Sequence, residues 1–369
     1  MRKAVVVIPT YNEAKNIGEL VDKIFSEVKL SPAWQLELLI VDSYSPDGTG
    51  NEIRGLQKKY LHHIHLLETG REGLGKAYLT GFSYAVEKLN AYLILEMDAD
   101  LQHDPKKINE FVHEIEKGAD FVIGARYIKG GSIPANWGLY RKFLSVVGNL
   151  VVRFGFMKLK IADWTSGYRA IKTWVIKAIL PSVKNYSGYV FQVAVLDNAI
   201  KNKAVIREVP LNFKDRTRGV SKINSFQYVS QTLFYVFTHS SFIKFVIVGF
   251  IGFFIDFGIS FLLIEKIKTA VWLATLTSTE SAIISNFLFN NFWSFKHKSI
   301  KTGRFSFILG FLKFNLVSAG SVLIQTLGLP LFSNLFGQQY WYIYKVLIIA
   351  FVIIPYSYFL YNKVIWKEK

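Results

Sequence analysis

Four apolar stretches, near residues 242–264, 271–293, 307–332 and 341–361, restrict what the C-terminal part of this chain can become. Each approaches or exceeds the roughly 20 residues that a helix needs to cross a bilayer. From residue 241 to 369 the only acidic side chains are Asp256, Glu265, Glu280 and Glu368. The second stretch is the least apolar, because it carries Thr275, Thr277, Ser278, Thr279 and Glu280. The region reads as a four-span membrane domain over 241–369. The loop from Lys296 to Arg304 is the most basic connection and is expected on the cytoplasmic side. An even number of spans then puts both termini, and everything before the first span, on that side. Gln338 and Gln339 fall in an uncharged far loop, whereas Lys266 and Lys268 dissent mildly. Asp256 lies mid-span, where an ionisable group is either a functional site or polar glue between helices. Asn286, Asn290, Asn291 and Lys313 are its possible partners. The domain reads most simply as an anchor, with lipid translocation as the competing role.

The rest of the chain is patterned differently. Buried-type strands are expected at Ala4–Ile8, Leu36–Val41, Ile64–Glu68, Tyr92–Met97 and Phe121–Ala125. Between them, Asn16–Val28, Asn51–Tyr60, Gly75–Leu89 and Pro105–Glu116 read as helices. Strands alternating with helices argue for an α/β domain over 1–224, with a mostly parallel sheet covered on both faces. Ligands of such sheets bind outside the carboxyl ends of the strands. Three polar clusters fall there: Pro9–Glu13, Asp42–Thr49 and Asp98–Gln102.

Two further segments read as amphipathic helices at a membrane surface. In 141–156, Phe143, Leu144, Val147, Leu150, Val151 and Phe154 follow helical spacing, and Arg141, Ser145, Asn149 and Arg153 form a polar stripe. Residues 225–240 form the second interface helix and linker, with Phe226, Val229, Leu233, Val236 and Phe237 apolar. Packing on the soluble core is the competing reading for both.

The segment Glu96-Met97-Asp98-Ala99-Asp100-Leu101-Gln102 carries the clearest chemistry. If the chain stays extended, Asp98, Asp100 and Gln102 share one face. Two carboxylates and an amide oxygen suit Mg²⁺ or Mn²⁺, which take a few protein oxygens and add substrate phosphates. Alone, the same segment reads better as an acidic turn that ends a strand and caps a helix.

Composition narrows the partners. The formal charge is +17 over 369 residues. Beside membrane segments, such a balance suits anionic headgroups and phosphorylated substrates. Zinc-finger spacing and a basic DNA-reading helix are both absent, so no nucleic acid is expected. With no cysteine, disulfides and cysteine-ligated metals are excluded.

Taken together, the three strand-end clusters resemble the family-2 glycosyltransferases of GT-A, Rossmann-like fold. The residues are Ile8-Pro9-Thr10-Tyr11-Asn12-Glu13, Val41-Asp42 with Ser45-Pro46-Asp47-Gly48-Thr49, and Asp98-Ala99-Asp100-Leu101-Gln102-His103. Gly73-Leu74-Gly75-Lys76-Ala77-Tyr78, Gly124-Ala125-Arg126-Tyr127, Asp163 through Arg169, and Asp215-Arg216 with Gly219, Ser221 and Lys222 resemble the polyprenol-phosphate-mannose synthase branch. The membrane half is similar to GtrA-like four-span domains, at Lys244-Phe245 through Asp256 and Asn286-Phe287 through Phe295. The resemblance implies transfer of mannose from GDP-mannose to dolichyl (polyprenyl) phosphate, with inversion. It implies metal ligation by Asp98, Asp100 and Gln102, and nucleotide-sugar contacts from Pro9, Tyr11, Glu13, Asp42, Asp98 and Asp100. Arg126, Arg141, Ser145, Arg216, Ser221 and Lys222 would hold the lipid phosphate. Asp100, Arg126, Arg216 and Lys222 would be the catalytic set. One departure stands out: the family usually has two adjacent acids after the second strand, and here they are Asp42 and Ser43. That leaves UDP-glucose as the alternative donor. A processive polysaccharide synthase lacks support without a Gln-x-x-Arg-Trp motif, and a transporter with a regulatory nucleotide-binding domain would not require the intact acidic and basic set.

Overall fold

A computed structural model describes residues 1–186, 188, 190–215, 225–300 and 303–367. They divide into two compact units, Met1–Tyr235 and Val236–Lys369.

The first unit runs β1 (Arg2–Thr10), α1 (Ala14–Glu27), β2 (Trp34–Asp42), α2 (Thr49–Lys59), β3 (Ile64–Glu68), α3 (Leu74–Glu87), β4 (Leu93–Glu96), α4 (Lys107–Glu116) and β5 (Phe121–Ala125). It continues with α5 (Leu139–Gly155), β6 (Arg169–Lys172), α6 (Thr173–Val183), α7 (Val190–Lys201), β7 (Ile206–Pro210) and α8 (Ser225–His239), whose last turn passes into the second unit. The seven strands lie in the order β3-β2-β1-β4-β6-β5-β7. All neighbours pair in parallel except β6, which runs antiparallel to both β4 and β5. The five expected strands and four expected helices of residues 1–125 form, with ends shifted by a few residues. β6, β7, α6 and α7 go beyond that expectation.

The sheet is buried on both faces, which explains the unbroken apolar runs of β1 and β2. On one side Ile17, Leu20, Val21 and Ile24 of α1 and Ile108, Phe111 and Ile115 of α4 pack against Val6, Ile8, Leu38, Ile40 and Leu95. On α3, Gly81 sits directly over β1 and β2: a Cβ there would fall 2.5 Å from Val7 and 3.0 Å from Val41. Only glycine lets the helix lie this close.

α5 forms over the segment expected to be amphipathic. Its apolar side faces out: Leu139, Tyr140, Phe143, Val146, Leu150 and Phe154 are exposed, whereas Asn149 and Val152 are buried. The helix thus keeps an apolar side exposed, which a helix packed on a soluble core would bury, while Asn149 of its polar stripe is turned inward.

The second unit runs α9 (Ser241–Phe261), α10 (Val271–Phe289), α11 (Arg304–Phe336), α12 (Trp341–Ile348) and α13 (Ile354–Leu360), with π-helical turns continuing α9, α10, α12 and α13. Among the described residues, three helices are long and apolar enough to cross a membrane: Ser241–Lys266, Arg304–Phe336 and Ile343–Ile365. The 271–293 stretch is helical too, but its hydroxyl-rich run from Thr275 to Glu280 keeps it out of that set. Asp256 is held by hydroxyls and not by the asparagines or Lys313. Ser278 Oγ donates to Asp256 Oδ1 at 2.7 Å, Thr279 Oγ1 donates at 3.3 Å, and Ser260 Oγ donates to Ser278 Oγ at 2.7 Å. Asn291 instead accepts from Ile300 N–H and Trp366 Nε1–H. The contacts at Asp256 fit inter-helix glue.

Candidate active site

Two cavities open along the carboxyl ends of the strands, of about 420 Å³ and about 410 Å³. They share Leu74, Asp98 and Tyr228 as a common wall.

The first cavity is lined by Pro9, Thr10, Tyr11, Glu13, Ser43, Arg71 and Glu72, and on the shared side by Asp98 and Asp100. Its floor is set by how the β1 and β2 loops lock together. Asn12, in the left-handed region at φ 56°, donates its N–H to Ser45 Oγ at 3.0 Å. Glu13 N–H donates to Thr49 Oγ1 and Ala14 N–H to Asp47 Oδ2. Burial pushes the Asp47 carboxyl up, but hydrogen bonds from Thr49 and the Ala14 N–H outweigh it and hold it low. The Ser-Pro-Asp-Gly-Thr turn thus serves as a clasp.

Asp42 does not line the cavity. It is 1% exposed, and its carboxylate accepts from Thr10 Oγ1 at 2.8 Å, Ser45 N–H at 2.9 Å and Ser45 Oγ at 2.6 Å. Ser43 occupies the cavity-lining place. The expected ribose or base contact from Asp42 is not offered in this arrangement, because the carboxylate is buried and turned to Thr10 and Ser45. Arg71 is a cavity residue that motif reading missed. Its guanidinium lies 4.1 Å from the Tyr11 ring centroid and donates to Tyr11 Oη at 3.2 Å.

At the shared wall the chain leaves the sheet. β4 ends at Glu96, and Leu101 has φ 64°, so 98–102 is a turn and not an extended segment. The alternation argument for a common face is thereby corrected. Asp98 and Asp100 nevertheless line the same cavity. Tyr78 Oη donates to Asp98 Oδ1 at 3.1 Å, and Gln102 N–H donates to Asp100 Oδ1 at 3.2 Å. Gln102 lines the second cavity, its Nε2 donating to Lys214 O at 2.9 Å. Asp98, Asp100 and Gln102 could offer a cation only oxygen atoms, which suits a hard divalent ion. Among the described residues no cluster of three or more His, Cys, Asp or Glu side chains could hold a metal. A cation here would need the Gln102 amide oxygen and substrate phosphates to complete its shell.

Around this wall, charge is tightly managed. His103 Nδ1 accepts the Asp98 N–H at 3.1 Å, so that nitrogen carries no proton. Burial, aided by Arg126 and opposed by Asp100, pushes the imidazole down to about 4. Burial pushes Glu96 up to about 7, against the pull of Arg169 and the Gln192 amide. Burial, with Asp98, Glu96 and Asp100 adding to it, drives the Tyr78 hydroxyl well up, so it stays a donor.

The second cavity is lined by Arg126, Trp137, Arg141, Ser145, Thr165, Gln192 and Phe213 in addition to the shared wall. Arg126 is fixed by Asp163: Nε donates at 2.8 Å, Nη2 at 2.9 Å and the backbone N–H at 3.0 Å, with Nη2 also donating to Thr165 Oγ1 at 2.7 Å. Burial pushes the Asp163 carboxyl up, but the Arg126 guanidinium outweighs it, with the Arg126 and Thr165 N–H groups, and holds it low. The loop bearing Asp163 is pinned from both sides. Glu208 of β7 accepts from Ala162 and Asp163 N–H, and Asn149 of α5 accepts from Trp164 N–H and donates to Ala162 O. Arg141 stacks 3.8 Å from the Trp137 centroid and pairs with Asp215 at 3.6 Å. Ser145 Oγ and Tyr127 Oη share a hydrogen bond at 2.5 Å. Burial takes Tyr228 up to about 12, with Arg126 pulling the other way.

Of the expected phosphate-binding residues, the structure thus brings Arg126, Arg141 and Ser145 to one cavity. Arg216, Ser221 and Lys222 lie outside the described residues.

Comparison with known proteins gives these cavities a context. Residues 5–180 match the model of glycosyl transferase family 2, and residues 244–366 match the GtrA/DPMS transmembrane domain. Polyprenol monophosphomannose synthase of Mycolicibacterium smegmatis is 36% identical over 226 residues, 60% of this chain and 82% of that protein. Dolichol-phosphate mannosyltransferase of Pyrococcus furiosus is 31% identical over 335 residues, 88% of each chain. Undecaprenyl-phosphate mannosyltransferase of Micrococcus luteus is 34% identical over 224 residues, 60% of this chain and 88% of that protein.

Proposed function

The chain belongs to the family 2 glycosyl transferases related to polyprenol monophosphomannose synthase and dolichol-phosphate mannosyltransferase, and from that premise we propose that it transfers mannose from GDP-mannose to dolichyl or another polyprenyl phosphate, with inversion. The observation that carries this reading is the pair of cavities joined at Asp98, one acid-lined and one arginine-lined. A nucleotide sugar fits the first, through Pro9, Tyr11, Glu13 and Arg71, and a lipid phosphate fits the second.

Asp98, Asp100 and Gln102 would hold Mg²⁺ or Mn²⁺, which supplies charge neutralisation for the departing diphosphate when bound. The acceptor phosphate has a second pKa of about 6, so near neutrality it is largely a dianion and needs no general base. The task left to the protein is placement. Arg126, pre-oriented by Asp163, and Arg141, pre-oriented by Trp137, would fix the phosphate for in-line attack. Ser145 adds a hydroxyl donor, and we assign Arg216, Ser221 and Lys222 to the same task on sequence grounds. His103, neutral at this pH, keeps the Asp98 backbone in place without adding positive charge.

We assign the catalytic domain to 1–224, the linking helix to 225–240 and a four-span membrane domain to 241–369, with the catalytic domain and both termini cytoplasmic. The outward apolar side of α5 suits contact with the bilayer from which a lipid acceptor is drawn. Ser43, standing where a second acid is usual, keeps UDP-glucose as the competing donor. Membranes bearing the protein, given dolichyl phosphate and radiolabelled GDP-mannose or UDP-glucose, test both. Label from GDP-mannose in the lipid phase is expected. Lipid label from UDP-glucose alone would transfer the assignment to that donor, and none from either would overturn it.

A further inference from the structure

Gln192 is a cavity residue with no role in the assignments above. It lies in the first turn of α7 and is 5% exposed. Its Oε1 is fully buried and takes no hydrogen bond among the described residues. The side chain lines the second cavity together with Asp98, Gln102 and Arg126, where, on the reading above, a sugar on the donor diphosphate would meet the acceptor.

Its position is over-determined. The Gln192 carbonyl accepts from Arg169 Nη1 at 2.7 Å, and Arg169, itself 0% exposed, also donates from Nη2 to Trp164 O at 3.0 Å. Neighbouring Phe191 stacks on Tyr78, rings 5° from parallel and 6.1 Å apart, and Tyr78 holds Asp98. Opposite the amide stands Gly167, where a Cβ would already touch Gln192 Nε2 at 3.5 Å. Gly167 lines the same cavity beside it. A buried acceptor without a donor is rare in folded proteins, and one on a residue that lines a substrate cavity is accounted for when the substrate brings the donor. Sugar hydroxyls are such donors.

We propose that the Gln192 carboxamide accepts a hydrogen bond from a hydroxyl of the sugar being transferred and so selects that sugar; this rests on the glycosyl-transfer reading above. A site built to hydrogen-bond a hydroxyl discriminates strongly against donors that lack it, because its own polar group is then stranded.

The test compares the wild-type protein with Gln192→Leu and Gln192→Glu in membranes, using GDP-mannose and its 2-, 3-, 4- and 6-deoxy analogues. In the wild type, one deoxy donor should lose on the order of 10- to 100-fold in kcat/KM. Gln192→Leu should lose a similar factor with GDP-mannose and lose its discrimination against that one analogue while keeping the others. Gln192→Glu, which retains an acceptor, should keep the discrimination. A Gln192→Leu protein that preserves the full wild-type ranking would overturn the proposal, as would an inactive variant beside a Gln192→Glu that has lost the ranking. Wild-type membranes that reject GDP-mannose but use another nucleotide sugar would defeat the donor assignment alone, and Gln192 would then be scored on the deoxy analogues of that sugar.

Discussion

The two cavities are built on opposite principles. The first is framed mostly by segments that follow the parallel strands β1 to β4, so most of its residues fall between 9 and 13, at 43, between 71 and 77 and at 98–100, with Gly188, Gln227, Tyr228 and Gln231 added from further along the chain. The second gathers residues from the turn after β4, the segment after β5, α5, the loop before β6, α7 and α8. The first is lined by Glu13, Glu72, Asp98 and Asp100 with Arg71 beside them. The second uses arginines whose counter-charges, Asp163 and Asp215, are already built in. A strand-end loop can evolve as a motif, whereas a pre-paired arginine needs several segments to arrive together.

Substitutions on the two sides should therefore fail differently. The largest effect is expected for Asp100→Ala: transfer should fall by roughly 10³-fold or more with the melting temperature nearly unchanged, and excess chelator should do the same to the wild type. Retained activity in either case would remove the metal site from the first cavity. Asp163→Ala should instead damage stability, by about 3–5 kcal/mol, because it strands the buried Arg126 guanidinium; denaturation in detergent reads this directly.

The same pair sets an acid dependence. Asp163 has a folded-state pKa below its unfolded one, so its stabilisation is present above the ordinary aspartate range and is lost as pH falls through the depressed value. Asp163→Asn and wild type should accordingly differ at pH 7 and converge in strong acid. A gap that persists there would mean that the pairing is not the source.

Arg141 is half exposed, so Arg141→Ala should cost only roughly tenfold, as a higher KM for lipid phosphate and an unchanged KM for the donor. Equal changes in both would blur the division between the cavities. The smallest effect is expected for Asp256→Asn, about 1 kcal/mol in unfolding and no change in transfer, since hydroxyl contacts between membrane helices are individually modest.

The same contrast decides what could be read in the sequence. The parallel half was legible because each apolar run stops at a polar cluster, and Pro9, Tyr11, Glu13, Asp98 and Asp100 follow from that rule. Asp42 did not, because two donors from Ser45 and one from Thr10 of β1 hold it inside. β6 escaped notice since it is four residues long and begins with a buried arginine, the least strand-like opening available. β7 carries Arg207 and Glu208 in five residues, which hides its pairing. α7 is apolar on nearly every side, so periodicity could not pick out Gln192 as the residue facing the cavity. In the membrane unit the long apolar helices were plain, but the partners of Asp256 depend on how two helices are rotated about their axes, which composition does not encode.

Gly81 gives the fold a mechanical property. With no Cβ between α3 and the β1–β2 surface, the helix rests on the sheet like a shaft in a fitted bearing, with little freedom to roll. Tyr78, one turn earlier, grips Asp98 from that same shaft. The aim of a carboxylate at the junction of two cavities is thus set by a backbone contact a helical turn away, and a single methyl group at residue 81 would be felt there as rotation.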